Sequence, residues 1–328
     1  MNRSVNLKIN IITALSILFF VFSCKNNFDV DLSDVEKCNV KIDRYEQALF
    51  SQDLNEERIK ELQQNYPLFL GNLPLEDNQK QQLENYVKDP YLQKIYDETQ
   101  KKFPDFNEEN AKLSHAFEHI KYYFPSFQYP KIYSYISGSQ EEAYYQDHIV
   151  IFSVDRYFGF GHESYNMAGI PKYIQAQMKP KYIERDIIDA IASFYIREPV
   201  ADASIISHMI YQGKKIYFIK SMLPNITDEV LFAQTEHHLK WLEDKRKNLW
   251  RYYIENELLY QSDYETYKKF IADAPFTSVL GDDSAPKTGR WLGYHIVLSF
   301  MKNNELSLSE MIQLKGDQEF LNRSKYKP

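Results

Sequence analysis

The chain has 328 residues, with 39 Lys and Arg against 46 Asp and Glu for a net charge of −7, and only two cysteines. An acidic balance of this kind argues against a nucleic-acid partner, because phosphate neutralisation needs clustered Lys and Arg. Ten glycines among 26 tyrosines and 21 phenylalanines, with no G-x-G-x-x-G and no G-x-x-x-x-G-K, argue equally against a dinucleotide or P-loop site.

Residues 1–23 read as a signal peptide. Arg3 and Lys8 give a positive start, and the apolar run from Ile11 to Ser23 is too short for a bilayer span. Val21-Phe22-Ser23-Cys24 resembles a bacterial lipobox, in which the cysteine is acylated and becomes the mature N-terminus. Val21 stands where Leu is usual, and Phe22 where a smaller residue is usual. A cleaved signal with an incidental cysteine and an uncleaved anchor are the alternatives. Cys24 is therefore the expected lipidation site, and two or three acyl chains, palmitate among them, hold a protein on a membrane stably. Cys38 is then left without a disulfide partner. Residues 24–37 are expected to form the lipidated N-terminus and a short polar tether, and residues 38–328 a single domain.

Helical patterns dominate the domain. Asn55 to Tyr66 and Glu76 to Val87 are charged, helix-favouring stretches stopped by Pro67 and Pro90, and Asn107 to Phe124 is a third helix. Lys131 to Ile136 and Asp147 to Val154 are rich in β-branched and aromatic residues and read as strands, with Gly138 in the connection. Loop signals follow at Gly159, Gly161, Gly169 and Pro171. Helices resume over 183–196, 203–222, 227–261 with a possible break, 263–273 and 289–302. With no internal repeat and no low-complexity linker, the expected fold class is α+β, mostly helical around a small sheet.

Three clusters hold possible metal ligands. His115-Ala-Phe-Glu118-His119 spells H-x-x-E-H, the inverted zinc-peptidase motif. A helical wheel puts Leu113, Ala116, Phe117, Ile120, Tyr123 and Phe124 on one face and His115 and Glu118 on the other, with His119 at the flank. That arrangement reads as a solvated helix face, not a covered metal site. Gly161-His-Glu-Ser-Tyr-Asn166 begins like H-E-x-x-H but lacks the second histidine, and it reads as a strand-to-helix connection. Thr235-Glu-His-His-Leu-Lys-Trp241 carries adjacent histidines, which diverge by about 100° on a helix. Glu236 and Lys240 are spaced for a surface pair there. Asp155 could present a carboxylate to a cleft or pair with Arg156. There is no G-x-S-x-G elbow and no Ser-x-x-Lys.

The stretch Ile183–Ile196 is apolar around more than half its circumference, which marks a buried helix. Its polar strip is Arg185, Asp186, Asp189 and Ser193. Unpaired buried carboxylates are costly, so this strip either lines a cleft or meets bases from a neighbour. The following helix offers His208, Gln212 and Lys215, with Gly213 allowing close packing at some cost in helix propensity. Asp186, Asp189, Ser193, His208 and Gln212 are the candidate cleft residues. A structural polar network between the two helices is the simpler alternative.

Met209-Ile-Tyr-Gln-Gly-Lys-Lys-Ile-Tyr-Phe218, Lys240-Trp241, Asp273-Ala-Pro-Phe-Thr277, Thr288-Gly-Arg-Trp-Leu-Gly-Tyr-His-Ile-Val297 and the terminal Tyr326-Lys-Pro328 together resemble the gliding-motility lipoprotein GldB family. The resemblance covers the chain from about Asp43 onwards, with the lipobox in front. It implies a cell-envelope lipoprotein, at the outer membrane, with envelope or motility proteins as partners and no cofactor. The family is in turn distantly similar to predicted zinc-dependent peptidases. Laid over their H-E-x-x-H helix and following glutamate, Asp189-Ala190-Ile191-Ala192-Ser193 and Gln212 take the ligand positions. The resemblance thus implies a zincin-like core with a degenerate metal site, and a non-catalytic binding or structural role. Two other readings stay open. One is a metal-dependent hydrolase using His115, Glu118 and His119. The other is a small-ligand or glycan-binding lipoprotein using the tyrosine-rich loop from Tyr157 to Tyr173.

Overall fold

The computed structural model describes residues 28–138 and 142–328, so the signal peptide and Cys24 lie outside the described residues. Four strands form one sheet: β1 (Ile42–Arg44), β2 (Lys131–Tyr135), β3 (Tyr144–Gln146) and β4 (Ile149–Ser153), in the order β1-β2-β4-β3. β1, β2 and β4 run parallel, while β3 pairs antiparallel with β4, Tyr145 opposite Val150. The β3–β4 turn places Asp147 and His148 at φ 48 and 61°, the backbone hand that a two-residue hairpin favours. Ile132, Ser134, Val150 and Phe152 alternate along β2 and β4 as the buried positions. The two expected strands are present. β1 and β3, three residues each, carry too little pattern to be read from sequence.

Helices make up most of the chain, as expected for this α+β class. The N-terminal part carries α1 (Tyr45–Phe50), α2 (Glu56–Asn65), α3 (Pro67–Leu70), α4 (Asp77–Lys88), α5 (Pro90–Lys102) and α6 (Asn107–Tyr123). After the sheet come the short α7 (Glu163–Met167) and α8 (Lys172–Gln175), then α9 (Ile183–Tyr195), α10 (Ile205–Met222), α11 (Asp228–Leu231) and α12 (Glu236–Glu255). α13 (Tyr264–Phe270), α14 (Thr288–Asn303), α15 (Leu308–Gln313) and α16 (Gln318–Ser324) complete the chain. α5 was not anticipated. Pro90 does stop α4, but it also opens α5 as the first helical residue, with the Asp89 side chain accepting the Tyr91 and Leu92 N–H groups.

A run of extended chain is fastened along α6. The Cys38, Val40 and Ile42 N–H groups donate to Glu118 Oε1 at 3.0 Å, Ser114 Oγ at 2.8 Å and Asn110 Oδ1 at 3.0 Å. The match is geometric: four helical residues rise about 6 Å, and two extended residues span nearly the same. Positions i, i+4 and i+8 of α6 therefore meet alternate N–H groups of the extended chain.

α10 lies at the centre, touching α6, α9 and α14. Its contact with α14 is backbone on backbone. A Cβ built on Gly213 would lie 2.2 Å from the Gly293 carbonyl oxygen, and one built on Gly293 would lie 1.9 Å from the Met209 oxygen. Alanine gains about 1 kcal/mol in helix propensity, but overpacking against immovable backbone costs about 3 kcal/mol or more. Gly293→Ala is therefore expected to lower the free energy of unfolding by at least about 2 kcal/mol, measured by urea denaturation.

Candidate functional site

The polar strip of α9 opens into a cleft of about 600 Å³, and Asp186, Asp189, Ser193 and Gln212 all line it. α9 contributes Arg185 as well, and α10 contributes Lys215. His208 does not line the cleft. Its ring packs edge-on against Tyr267 at 4.8 Å, and burial lowers its pKa. Four of the five candidate residues are thus gathered in one cavity.

Every carboxylate on the wall has a cation. Lys215 Nζ reaches Asp189 Oδ2 at 2.9 Å, Arg185 pairs with Asp186 at 2.8 Å, and Arg156 with Glu142 at 2.7 Å. Asp273 is shared by Lys287 and Arg290, each at 3.0 Å, and also accepts from Gln177 Nε2 at 3.2 Å. Burial works against the Asp273 and Asp189 charges, but the cations overcome it and hold both carboxyls below the usual range. Asp186 goes the other way: burial dominates the Arg185 attraction and raises its pKa, and it accepts a hydrogen bond from the Tyr157 hydroxyl at 3.1 Å. Lys287, only 4% exposed, is pushed down to about 8 by burial.

Sequence reasoning missed Lys287, Arg290, Asp273, Gln177 and Gln234 as cleft residues, because they come from loops and helix ends far apart in the chain. Lys287 caps α14 from a left-handed backbone, φ 56°, which costs a non-glycine residue about 1 kcal/mol or more. Gln234 follows Ala233, also left-handed at φ 48°. Its amide donates to the Pro286 carbonyl at 2.8 Å, and its side-chain oxygen is buried without a hydrogen-bond partner.

The motif residues lie elsewhere, and here the solvated-face reading of α6 is corrected. Glu118 and His119 are both buried, because the extended chain that precedes β1 covers that side of the helix. Glu118 is the last rung of the clamp, bound by the Cys38 N–H and by Lys37 at 3.1 Å. Burial opposes its charge, yet these two partners bring its pKa below the usual range. His119 has no partner on either ring nitrogen, and burial pushes it down to about 4. A wheel sees only its own helix and could not show this cover. Among the described residues, no three His, Cys, Asp or Glu side chains are grouped to hold a metal ion.

The remaining clusters have structural partners. His162 caps α7 and lies 3.1 Å from Glu98, so this stretch is the expected connection into a helix. Thr235 caps α12, and Lys240 pairs with Asp244 at 2.7 Å, not with Glu236. Asp155 is buried at the end of β4 and accepts from Ser153 Oγ at 2.6 Å and the Ser137 N–H at 3.1 Å. Tyr157 and Tyr165 are fully buried, so they form no exposed platform on which a sugar could stack.

An α+β domain with a charge-paired cleft between buried helices defines a class of scaffold more than a reaction. The chain belongs to the gliding motility protein GldB family, whose profile matches residues 25–328. That membership makes it a gliding-motility lipoprotein of the cell envelope by family, and no described helix is long and apolar enough to cross a membrane. No curated protein and no solved structure matches it. Several stretches that carry the family resemblance converge on the cleft: Gln212 and Lys215, Asp273, and Arg290 and Trp291 all line it.

Asp273→Asn leaves Lys287 buried without its countercharge. Breaking a fully buried pair costs about 3–5 kcal/mol. Asp273 is one-third exposed, so solvent screening reduces the expected loss to about 2 kcal/mol at pH 7. Because the folded-state pKa of Asp273 is depressed, its contribution is present above about pH 4 and is lost as pH falls further. The stability gap between the wild type and Asp273→Asn, followed by denaturant titration, is therefore expected to shrink below about pH 4.

Proposed function

We propose that this chain is a non-catalytic lipoprotein, anchored by acylated Cys24 at the outer membrane, that serves a motility or cell-surface assembly as a binding component. The central cleft is its recognition site. One observation carries this reading: all four acidic residues on the cleft wall, Glu142, Asp186, Asp189 and Asp273, are held by cations. None can act as a general base or nucleophile without giving up a partly buried ion pair. Five cations meet these four acids, and the rest of the wall is hydrogen-bonding and apolar, including Gln177, Gln212, Gln234 and Ser193 with Phe232 and Trp291. This chemistry suits a polypeptide segment, whose amides need both donors and acceptors.

A degenerate relative of zinc-dependent peptidases, implied by the family resemblance, is part of this proposal. Asp189 and Ser193, one turn apart on α9, and Gln212 from the adjacent α10 line one cavity. That is the arrangement expected if these helices stand where the metal helix and the third-ligand helix stand in an active relative. Catalytic zinc takes three good protein ligands and an open position. Asp189 is already bonded to Lys215, Ser193 donates to its own helix at the Asp189 carbonyl, and Ala190 offers no base. The hydrolase alternative at His115, Glu118 and His119 has less support, since Glu118 is taken up by Lys37 and Cys38.

Ser193 is exposed at the cleft, so a photo-crosslinking side chain placed there in intact envelopes reports on occupancy. The expected result is one discrete protein adduct that disappears when Lys215→Glu is added. No adduct, or an adduct indifferent to Lys215→Glu, contradicts the proposal.

A further inference from the structure

The start of the described chain fixes more than a tether. Phe28 is 7% exposed, with its ring 5.1 Å from Tyr217 on α10. The chain then stays on the domain: the Tyr129 hydroxyl donates to the Glu36 carbonyl, and Lys37 and Cys38 bind Glu118. Residues from Phe28 onwards are therefore not free to act as a spacer. Only Lys25, Asn26 and Asn27 separate Cys24 from Phe28.

We propose that the face around Phe28, the end of α6 and the end of α10 rests on the bilayer surface. This rests on the lipid anchor at Cys24 in the reading above. Four residue steps span at most about 14 Å, whereas a domain of this length has a radius of gyration of roughly 19 Å. A link shorter than the domain radius cannot let the domain turn freely above the membrane, so the face that carries Phe28 is held against it. Asp29, Asp31, Asp34 and Glu36 are exposed on the covering segment, so the contact rests on the short link and on the aromatic and apolar groups of this face. Tyr122 is 45% exposed beside Tyr123, and tyrosine is favoured at the headgroup level. Near the end of α10, an apolar cavity of about 570 Å³ is lined by Ala111, Leu223, Pro224, Ile226 and Val230, with Lys112 and Lys181 also on its wall. Both lysines are paired with acids, Lys112 with Glu108 at 2.6 Å and Glu184 at 3.1 Å and Lys181 with Glu229 at 3.7 Å, so it is the apolar lining that suits the headgroup boundary.

The placement also sets where the recognition cleft lies. Arg185 lines both the cleft and the apolar cavity, and Lys215 is eight residues, about 12 Å along α10, from Leu223. The cleft is thus held close above the headgroups, and a partner meets it from beside the membrane.

The test uses the full acylated protein with Cys38→Ser, in vesicles of phosphatidylethanolamine and phosphatidylglycerol that contain a nitroxide-headgroup lipid. A fluorophore is attached at Tyr122→Cys or at Glu319→Cys. Glu319 is an exposed residue of α16, which packs on α14. Quenching is expected to be several-fold stronger at position 122. Equal quenching at the two positions overturns the proposed face. Cys24→Ser tests the anchor alone: it is expected to leave the vesicles, and if it stays bound the anchor reading fails, separately from the face.

Discussion

The close approach of α10 and α14 at Gly213 and Gly293 is the constraint on which the rest of the molecule depends. Helices that pack through side chains sit about 8–10 Å apart, and here neither helix has a Cβ at the crossing. Gly289 extends the device: a Cβ there would meet Ile271 Cδ1 at 2.5 Å and the Phe270 carbonyl oxygen at 3.0 Å. Each helical glycine costs about 1 kcal/mol relative to alanine. In return, the start of α14 and the residues after α13 are drawn onto the α9–α10 layer. Lys287, Arg290 and Asp273 reach the polar strip of α9 for that reason.

Once those charges are gathered, their energetics follow. Lys287 and the α9 acids lie where burial disfavours charge, as the lowered Lys287 and raised Asp186 pKa values show. Such pairs add little net stability compared with well-packed apolar residues, yet breaking one is expensive. A protein that keeps five of them around one cavity gains a fixed, polar, shaped surface from them. The left-handed backbone at Lys287 and Ala233 adds local strain at the same rim, a feature that clusters at binding and active sites.

Much of this site was legible in the sequence, for a physical reason. A helix apolar around most of its circumference with a narrow charged strip must be buried, and its strip must find partners, so Asp186, Asp189 and Ser193 could be read from periodicity alone. Gln212 and Gly213 followed from the next helix. The countercharges on the far wall could not be found that way, because Asp273, Lys287 and Arg290 act through tertiary contacts that no local pattern encodes. For Asp273 and Arg290 the one signal was that the stretches Asp273–Thr277 and Thr288–Val297 carry the family resemblance; Lys287 lies in neither. The burial of Glu118 was hidden for a similar reason. Lys37, at the start of the chain that covers it, lies 81 residues earlier, and that cover runs into a strand of only three residues.

The α9–α10 cleft is proposed above to recognise a partner without catalysis. Zinc titration of the purified soluble domain, read by calorimetry and followed by a peptide-hydrolysis assay on the same sample, tests it most directly. The expected result is no stoichiometric zinc uptake and no cleavage above the buffer rate. One equivalent of zinc bound, with peptide cleavage that Asp189→Ala abolishes, would contradict it.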